Sequence, residues 1–327
     1  MLRRFVRVIG LASAALLLAG VGSAVAQTTI RIPHCCAAGS HFDVGAKKFA
    51  ELLEQKTGGK LKAAVFPGGQ LGQETEVIQN VQTGTIEATF VGHDPLAQFA
   101  PVTTILSLPY LFRDHDQAFR LLEGRLGEAV EAQMREKRLR VLGWGYNGAR
   151  VYTNSKRPVE KPDDLAGLKI RSPQSPVNLA VTRAFGGIPV AMPYGEVYTA
   201  LQQGTIDGQE NAVINIYPAR LYEVQKFMSM TDHLLSFTVL IVNDRFFSSL
   251  PKDQQDAMTA AAKEAMDFQR EHARALTNDL VAKMKERGVA VNTPDLEPFR
   301  KAARPIHAEY VGKSFGRDLY ELVVGAR

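Results

Sequence analysis

PYGEVYTALQQGTIDGQEN, residues 193–211, contains the turn that decides the fold class. Residues 195–203 read as a helix that Gly204 stops, and residues 206–209 read as a strand edge opened by Ile206. Glycine suits the end of a helix because it enters the left-handed region without a steric penalty. The same device occurs about 120 residues earlier: QTGTIE (82–87) parallels QGTID (203–207), each a helix end, a glycine, an isoleucine and then an acid. Two copies so far apart predict two similar lobes and not a short-period solenoid.

Working outward, alternation predicts a first strand over 28–33 (TTIRIP), and apolar spacing predicts a helix over 44–56. A second strand over 60–66, a helix over 75–83 and a third strand over 86–91 follow. Strand–helix alternation of this kind implies a sheet covered on both faces, the α/β class. Residues 118–137 read as helical and 139–146 as a strand, and the order restarts near 147–154. In the second half come a strand over 168–171, a helix over 177–185, short strands at 189–192 and 206–209, and another at 237–242. Residues 251–285 form a helical stretch without internal proline or glycine. At 1.5 Å per residue it measures roughly 50 Å, longer than one small lobe, so it is expected to cross between lobes. The resulting expectation is a two-lobed α/β binding-protein fold, each lobe a mixed sheet flanked by helices. Lobe I takes 27–149 plus 238–277, and lobe II takes 150–237 plus 278–327.

The chain has 327 residues, 45% hydrophobic and 22% charged, which fits a soluble globular protein. Its formal charge of +5 is misleading, because the first 26 residues carry Arg3, Arg4 and Arg7 and no acid. Without them the charge falls to about +2, and no dense basic run follows, so nucleic-acid binding is not expected. Those 26 residues combine a basic head, an apolar run and Ala24-Val25-Ala26, the pattern of an export signal cleaved before Gln27. The apolar run is too short for a span of about 20 residues. The mature chain is therefore expected to work in the periplasm.

Catalytic and metal signatures are absent from the sequence. It holds no G-x-S-x-G elbow, no phosphate loop and no dinucleotide fingerprint, and its seven histidines form no ligand spacing. Neither a metal, a cofactor nor an enzymatic activity is expected. Two features stand out. Cys35-Cys36 follows the first strand, where an α/β lobe presents ligand contacts. In an oxidising compartment the pair either forms a strained vicinal disulfide or stays as two partly buried thiols. Arg150 in NGARVYTN (147–154) and Arg171 in GLKIRSP (167–173) lie at a lobe crossing and at a strand end. A guanidinium there can grip a carboxylate through two parallel hydrogen bonds.

Together, PYGEVYTALQQGTIDGQEN, GLKIRSP and FPGGQLGQE (66–74) closely resemble the DctP-type solute receptors of tripartite ATP-independent periplasmic (TRAP) transporters. The resemblance spans residue 30 to about 324. It implies a receptor that closes on an organic acid and delivers it to the small and large membrane subunits of a permease, and a monomer is expected. By this resemblance Arg171 makes the main salt bridge to the ligand carboxylate, Arg150 and Asn211 add contacts, and Tyr194 lines the pocket. From lobe I it points to Cys35, Glu74 and the Gly92-His93-Asp94 loop.

Sialic-acid members tend to carry an acid at the Gly92 position and Asn at the Cys35 position, and this chain has neither. A C4-dicarboxylate would need a second cation, for which His34 and His93 are the candidates. Glu74 and Asp94 would instead suit hydroxyl groups, which favours a sugar acid such as a uronate or aldonate. A dicarboxylate, another keto, hydroxy or aromatic acid, and a sensory rather than transport role are the alternatives. Glu210 is expected either at the ligand or paired with a lobe arginine.

Overall fold

The computed structural model describes residues 28–326, so the expected leader and the Gln27 start lie outside the described residues. β1 (Thr28–Pro33) and β2 (Leu61–Phe66) pair in parallel. The helix between them, α1 (His41–Lys56), starts at Ser40, whose side chain accepts from the Asp43 N–H. It turns Phe42, Ala46, Phe49, Leu52 and Leu53 into the core. α2 (Glu74–Thr83) then leads to β3 (Ala88–Gly92). The repeated turn is the same structure in both halves: Gly84 and Gly204 take φ of 85° and 69°, and Ile86 and Ile206 are buried behind them. The strands start two residues beyond each isoleucine and not at it.

The sequence expectation of one helix over 118–137 is corrected. The chain forms α3 (His115–Leu122) and α4 (Arg125–Glu136), separated at Glu123-Gly124. A larger difference concerns two strands. β4 (Leu139–Asn154) runs on through the segment read as a restart. In the second half lie β5 (Lys169–Ser172), α5 (Pro176–Ala184), β6 (Ile188–Ala191), α6 (Val197–Gln202), β7 (Gly208–Ala212) and α7 (Val213–Ile216). β8 (Phe227–Asn243) covers 17 residues, far more than the expected 237–242. Polar Ser229, Thr231 and His233 interrupt its apolar pattern, yet all are buried, because they face hydrogen-bonding partners and not solvent.

β4 and β8 pair antiparallel along almost their whole length and belong to both lobes. At one end β3 flanks β8, and at the other β7, β5 and β6 extend the sheet beyond β4. Register shifts interrupt the β4–β8 ladder between Tyr146 and Ala149 and between Arg150 and Tyr152. Such shifts bend and twist a ribbon.

After α8 (Asp244–Ser249), the long helix α9 (Lys252–Glu286) crosses the junction as expected. Its first half packs Met258, Ala262 and Met266 into the α1 core, and its second half packs Leu280 and Met284 into the other lobe. Between them Gln269 clamps β4, accepting from the Tyr146 N–H at 2.8 Å and donating to the Tyr146 carbonyl at 2.7 Å. β9 (Ala290–Asn292) adds to β8. α10 (Glu297–Tyr310) and α11 (Arg317–Gly325) complete the chain. α10 packs Phe299 on Phe185, and Gln117 of α3 donates to the carbonyl of Val323 in α11.

Candidate functional site

The two lobes enclose a cavity with about 320 Å³ of empty space. Strand ends and the loops after them build its walls. β1 delivers Cys35 and Cys36, β3 delivers Gly92 and Asp94, β5 delivers Arg171 and Pro173, and β7 delivers Asn211. Glu74 comes from the first turn of α2 and Tyr194 from the segment before α6.

Arg171 is 2% exposed. Its Nε donates to the Met192 carbonyl at 2.9 Å, which orients the fork. Among the described residues it has no carboxylate partner, and its Nη atoms make no hydrogen bond. Burial and then the charge of Arg150 pull its pKa down. A buried cation without a counter-ion is costly.

Arg150 is placed differently. Its Nε and Nη2 are bound by the Glu210 carboxylate and its Nη2 also donates to the Glu210 carbonyl at 2.9 Å. Nη1 reaches Asp94 Oδ2 at 3.4 Å. Of the five guanidinium hydrogens, one on Nη1 remains to face the cavity. Glu210 does not line the cavity and pairs with Arg150. Burial pushes the Glu210 carboxyl up, but Arg150 and His233 overcome it and hold the pKa at about 2.

Asn211 is oriented by its neighbours. Its Oδ1 accepts from the Ala212 N–H and from Asn215 Nδ2, both at 2.9 Å, which leaves its Nδ2 hydrogens for the cavity. Asn215 Nδ2 also donates to Asn147 Oδ1 at 2.9 Å, and Asn147 Oδ1 accepts from His41 Nε2 at 2.8 Å. Tyr194 donates its hydroxyl to the Asn215 carbonyl at 2.7 Å and presents its ring beneath Arg171.

Facing these donors are two acceptors. Glu74 Oε1 accepts from the Gly92 N–H at 2.7 Å. Burial and then the nearby Asp94 raise the Glu74 pKa. Asp94 Oδ1 is buried with no hydrogen-bond partner, and Asp94 lines the cavity.

His34 and His93 are buried beside the cavity and are not among the residues that line it. His34 Nε2 lies 3.4 Å from Asp43 Oδ1. His93 Nδ1 accepts from the Phe237 N–H at 3.2 Å, so its Nε2 donates to Ser107 Oγ at 3.0 Å. Burial lowers both pKa values. The sequence reading also passed over Phe42, Asn147, Pro173 and Asn215, all in the wall. Nothing in their spacing marks them. Asn147 and Asn215 become visible only through the hydrogen bonds that hold Asn211.

The lobes also touch across the cavity mouth. Gly195 N–H donates to Gln73 Oε1 at 3.2 Å, Thr75 Oγ1 donates to Gln174 Oε1 at 3.0 Å, and Gln98 Nε2 donates to the Gln174 carbonyl at 2.8 Å. A Cβ at Gly195 would lie 2.7 Å from the Gln73 side chain, so glycine permits this approach.

Residues 33–313 match the profile of the family described as bacterial extracellular solute-binding protein, family 7, known as DctP. The chain belongs to this family. It is 37% identical over 309 residues to the 2,3-diketo-L-gulonate-binding periplasmic protein of Escherichia coli strain K12, covering 93% of each chain. Among solved structures it resembles a TRAP periplasmic solute-binding protein from Polaromonas sp. JS666 bound to D-erythronate. That match has a TM-score of 0.88 and 35% identity, over 91% of this chain and 98% of that one. It also resembles a Roseobacter denitrificans protein with bound β-D-glucuronate, at TM-score 0.88 and 31% identity, over 91% of this chain and all of that one. The DctP chain described here is thus a solute-binding receptor of the TRAP type, which works with membrane permease subunits, and not an enzyme.

Acid should weaken this DctP fold through its buried histidines. Burial holds His41 at a pKa of about 3 and His115 at about 4. Both stay neutral in the fold while the unfolded chain takes up protons below about pH 6.5. Their contribution is complete above pH 6.5 and is lost as pH falls. Each should cost about 2–3 kcal/mol between pH 6.5 and 4.5, at about 1.4 kcal/mol per unit. Urea titrations at both pH values check this, with His41→Gln expected to flatten the slope. An unchanged slope in that variant contradicts it.

Proposed function

We propose that this receptor captures a hydroxylated monocarboxylate, a sugar acid of the aldonate or uronate class, in the cavity between its lobes. The observation that carries the reading is the Arg171 guanidinium, buried at the cavity without a counter-ion. Its two free Nη groups suit a carboxylate held in two parallel hydrogen bonds, with Asn211 Nδ2 and the remaining Arg150 Nη1 hydrogen as further donors. At the opposite wall, Asp94 Oδ1 and Glu74 are acceptors, and acceptors call for donors. A sugar acid brings hydroxyl groups there. Succinate brings only another carboxylate, which would meet Asp94 and Glu74 as like charge. The relatives that hold D-erythronate and β-D-glucuronate support the same class.

A ligand gripping Arg171 from one lobe and Asp94 from the other favours the closed arrangement by its extra affinity for it. Closure excludes water, which strengthens each charged contact. The lobe boundaries read from the sequence, export through a leader cleaved before Gln27, and a monomeric state complete the proposal.

A thermal-shift panel on the mature chain tests it. A ligand at 100 times its Kd adds about 2.7 kcal/mol. At about 2–4 °C per kcal/mol for a large domain, that is a shift of several degrees. D-erythronate, D-galactonate or D-glucuronate should shift the transition and succinate should not. A shift with succinate and none with the hydroxy acids would overturn the assignment. Asp94→Asn should weaken the responding acid about tenfold or more, because hydrogen bonds to charged groups contribute about 1.5–3 kcal/mol.

A further inference from the structure

Cys35 and Cys36 are buried and unbonded, and both line the cavity. Their sulfurs lie 3.8 Å apart. The Cys36 thiol points at Asn215 Oδ1, 3.9 Å away. The bend that carries them is pinned on both sides, by Gly69 N–H to the His34 carbonyl at 3.0 Å and by Gly68 N–H to the Cys36 carbonyl at 2.7 Å. Both belong to the hydrophobic cluster built around β1 and α1, and the cavity wall they share also holds Arg171 and Glu74.

We propose that Cys35 and Cys36 are a reversible redox modification site in the pocket wall, converted by a disulfide-donating oxidant to a vicinal disulfide that binds the acid more weakly. The inference rests on the acid-receptor reading for its effect on affinity, but not for the modification itself. The chemistry balances with a small disulfide such as oxidised glutathione. One cysteine sulfur attacks it, forming a mixed disulfide and releasing one donor thiol. The neighbouring sulfur then displaces the second donor thiol and closes the Cys35–Cys36 bond. Two protein thiols are oxidised, one donor disulfide is reduced, and the two thiol protons end on the released thiols.

The geometry sets the direction of the effect. An S–S bond is about 2.0 Å long, so the sulfurs must approach by roughly 1.8 Å. Cys36 then leaves Asn215 Oδ1, which has no other donor among the described residues. Asn215 is the side chain that orients Asn211 toward the cavity, so the change passes to a ligand contact. Adjacent Cα atoms stand about 3.8 Å apart, below the usual range for bridged cysteines. A strained disulfide of this kind is readily reduced, which makes the modification reversible. The contact with the Cys36 thiol, then burial and the charge of Glu74, push the Cys35 thiol well up, which slows attack from this arrangement.

The test uses the mature chain with oxidised glutathione and needs no acid for its first reading. Both thiols should disappear from a thiol titration, and a peptide map should show Cys35 joined to Cys36 without bound glutathione. Thiols that remain titratable in the folded protein, or a stable glutathione adduct, would overturn the proposal. In the second reading, D-erythronate, D-galactonate and D-glucuronate are titrated into the reduced and oxidised forms. Kd should rise at least fivefold on oxidation and return with dithiothreitol, and an equal Kd in both forms overturns the link to binding. By reciprocity the acid should raise the glutathione ratio needed for half-oxidation by the same factor. Cys36→Ser cannot close the second bond, so oxidised glutathione should leave at most a persistent adduct on Cys35 in that variant, the product absent from the parent chain. If no acid binds the reduced protein, the receptor reading fails, while the thiol titration still decides the modification.

Discussion

Arg171→Ala should abolish measurable binding of the acid that the thermal panel identifies. In the complex the guanidinium and the carboxylate would each be the other's main counter-charge, in a cavity from which closure removes water. Deleting one member of a buried pair costs about 3–5 kcal/mol, or about two to four orders of magnitude in Kd. The ligand-free protein should not suffer in parallel. Arg171 has no acidic partner to strand, and its one hydrogen bond is to the Met192 carbonyl. Its burial without a counter-ion is itself unfavourable, so the transition temperature of the empty variant should hold or rise. This combination separates a ligand-binding group from a structural one. Arg171→Lys should fall between, because an ammonium cannot reproduce the two-pronged contact. Calorimetric titration gives the affinity and a thermal scan gives the stability. Retained micromolar binding in Arg171→Ala would contradict the assignment, as would a collapse of the empty protein.

Glu210→Ala should do the reverse, with its largest effect on the fold itself. Glu210 is fully buried and binds Arg150 through both carboxylate oxygens and its own carbonyl. Removing it leaves Arg150 buried with Asp94 as its remaining acid, and His233 loses the carboxylate 3.4 Å from its Nε2. The expected loss is about 3–5 kcal/mol of unfolding free energy. Glu210→Gln should cost somewhat less, since an amide keeps part of the hydrogen bonding.

The pH dependence supplies an independent check. With a folded pKa of about 2, against about 4.5 for a free carboxyl, Glu210 stabilises fully above about pH 4.5. That contribution, about 3 kcal/mol, fades as pH falls from 4.5 toward 2. The alanine variant should lack this limb of the acid titration while keeping the histidine limb above it. Urea unfolding across pH 3–7 resolves the two. A loss under 1 kcal/mol at pH 7 would contradict the expected cost of breaking the pair.

Much of the fold was legible because its signals are local. The turns at Gly84 and Gly204 and the run of α9 without internal proline or glycine each involve residues close in sequence, whereas the Ser40 cap that starts α1 at His41 was not read. The two crossing strands were only partly legible. Asn147 and Gly148 in β4, and Ser229, Thr231 and His233 in β8, break the alternation that marks a strand. Asn147, Ser229 and His233 are buried against partners from other elements, and Thr231 against His233 beside it. The break between α3 and α4 at Glu123-Gly124 was missed for a different reason, since both flanking segments keep helical periodicity.

The site divides along the same line. Family motifs pointed to Arg171, Arg150, Asn211, Tyr194, Glu74, Cys35 and Asp94, and all of these line one cavity. His34 and His93 entered as candidate second cations for a dicarboxylate, and the fold buries both. Amino-acid order alone determined the α/β class, the two-lobe plan, the long crossing helix and the arginines able to meet an acid. Only the tertiary structure decided which arginine is free. Arg150 and Arg171 look alike in sequence, but β7 brings Glu210 against Arg150 and leaves Arg171 without an acid. The physical reason is that a charge's role depends on its counter-ions and on its access to water, and both are set by residues distant in the chain.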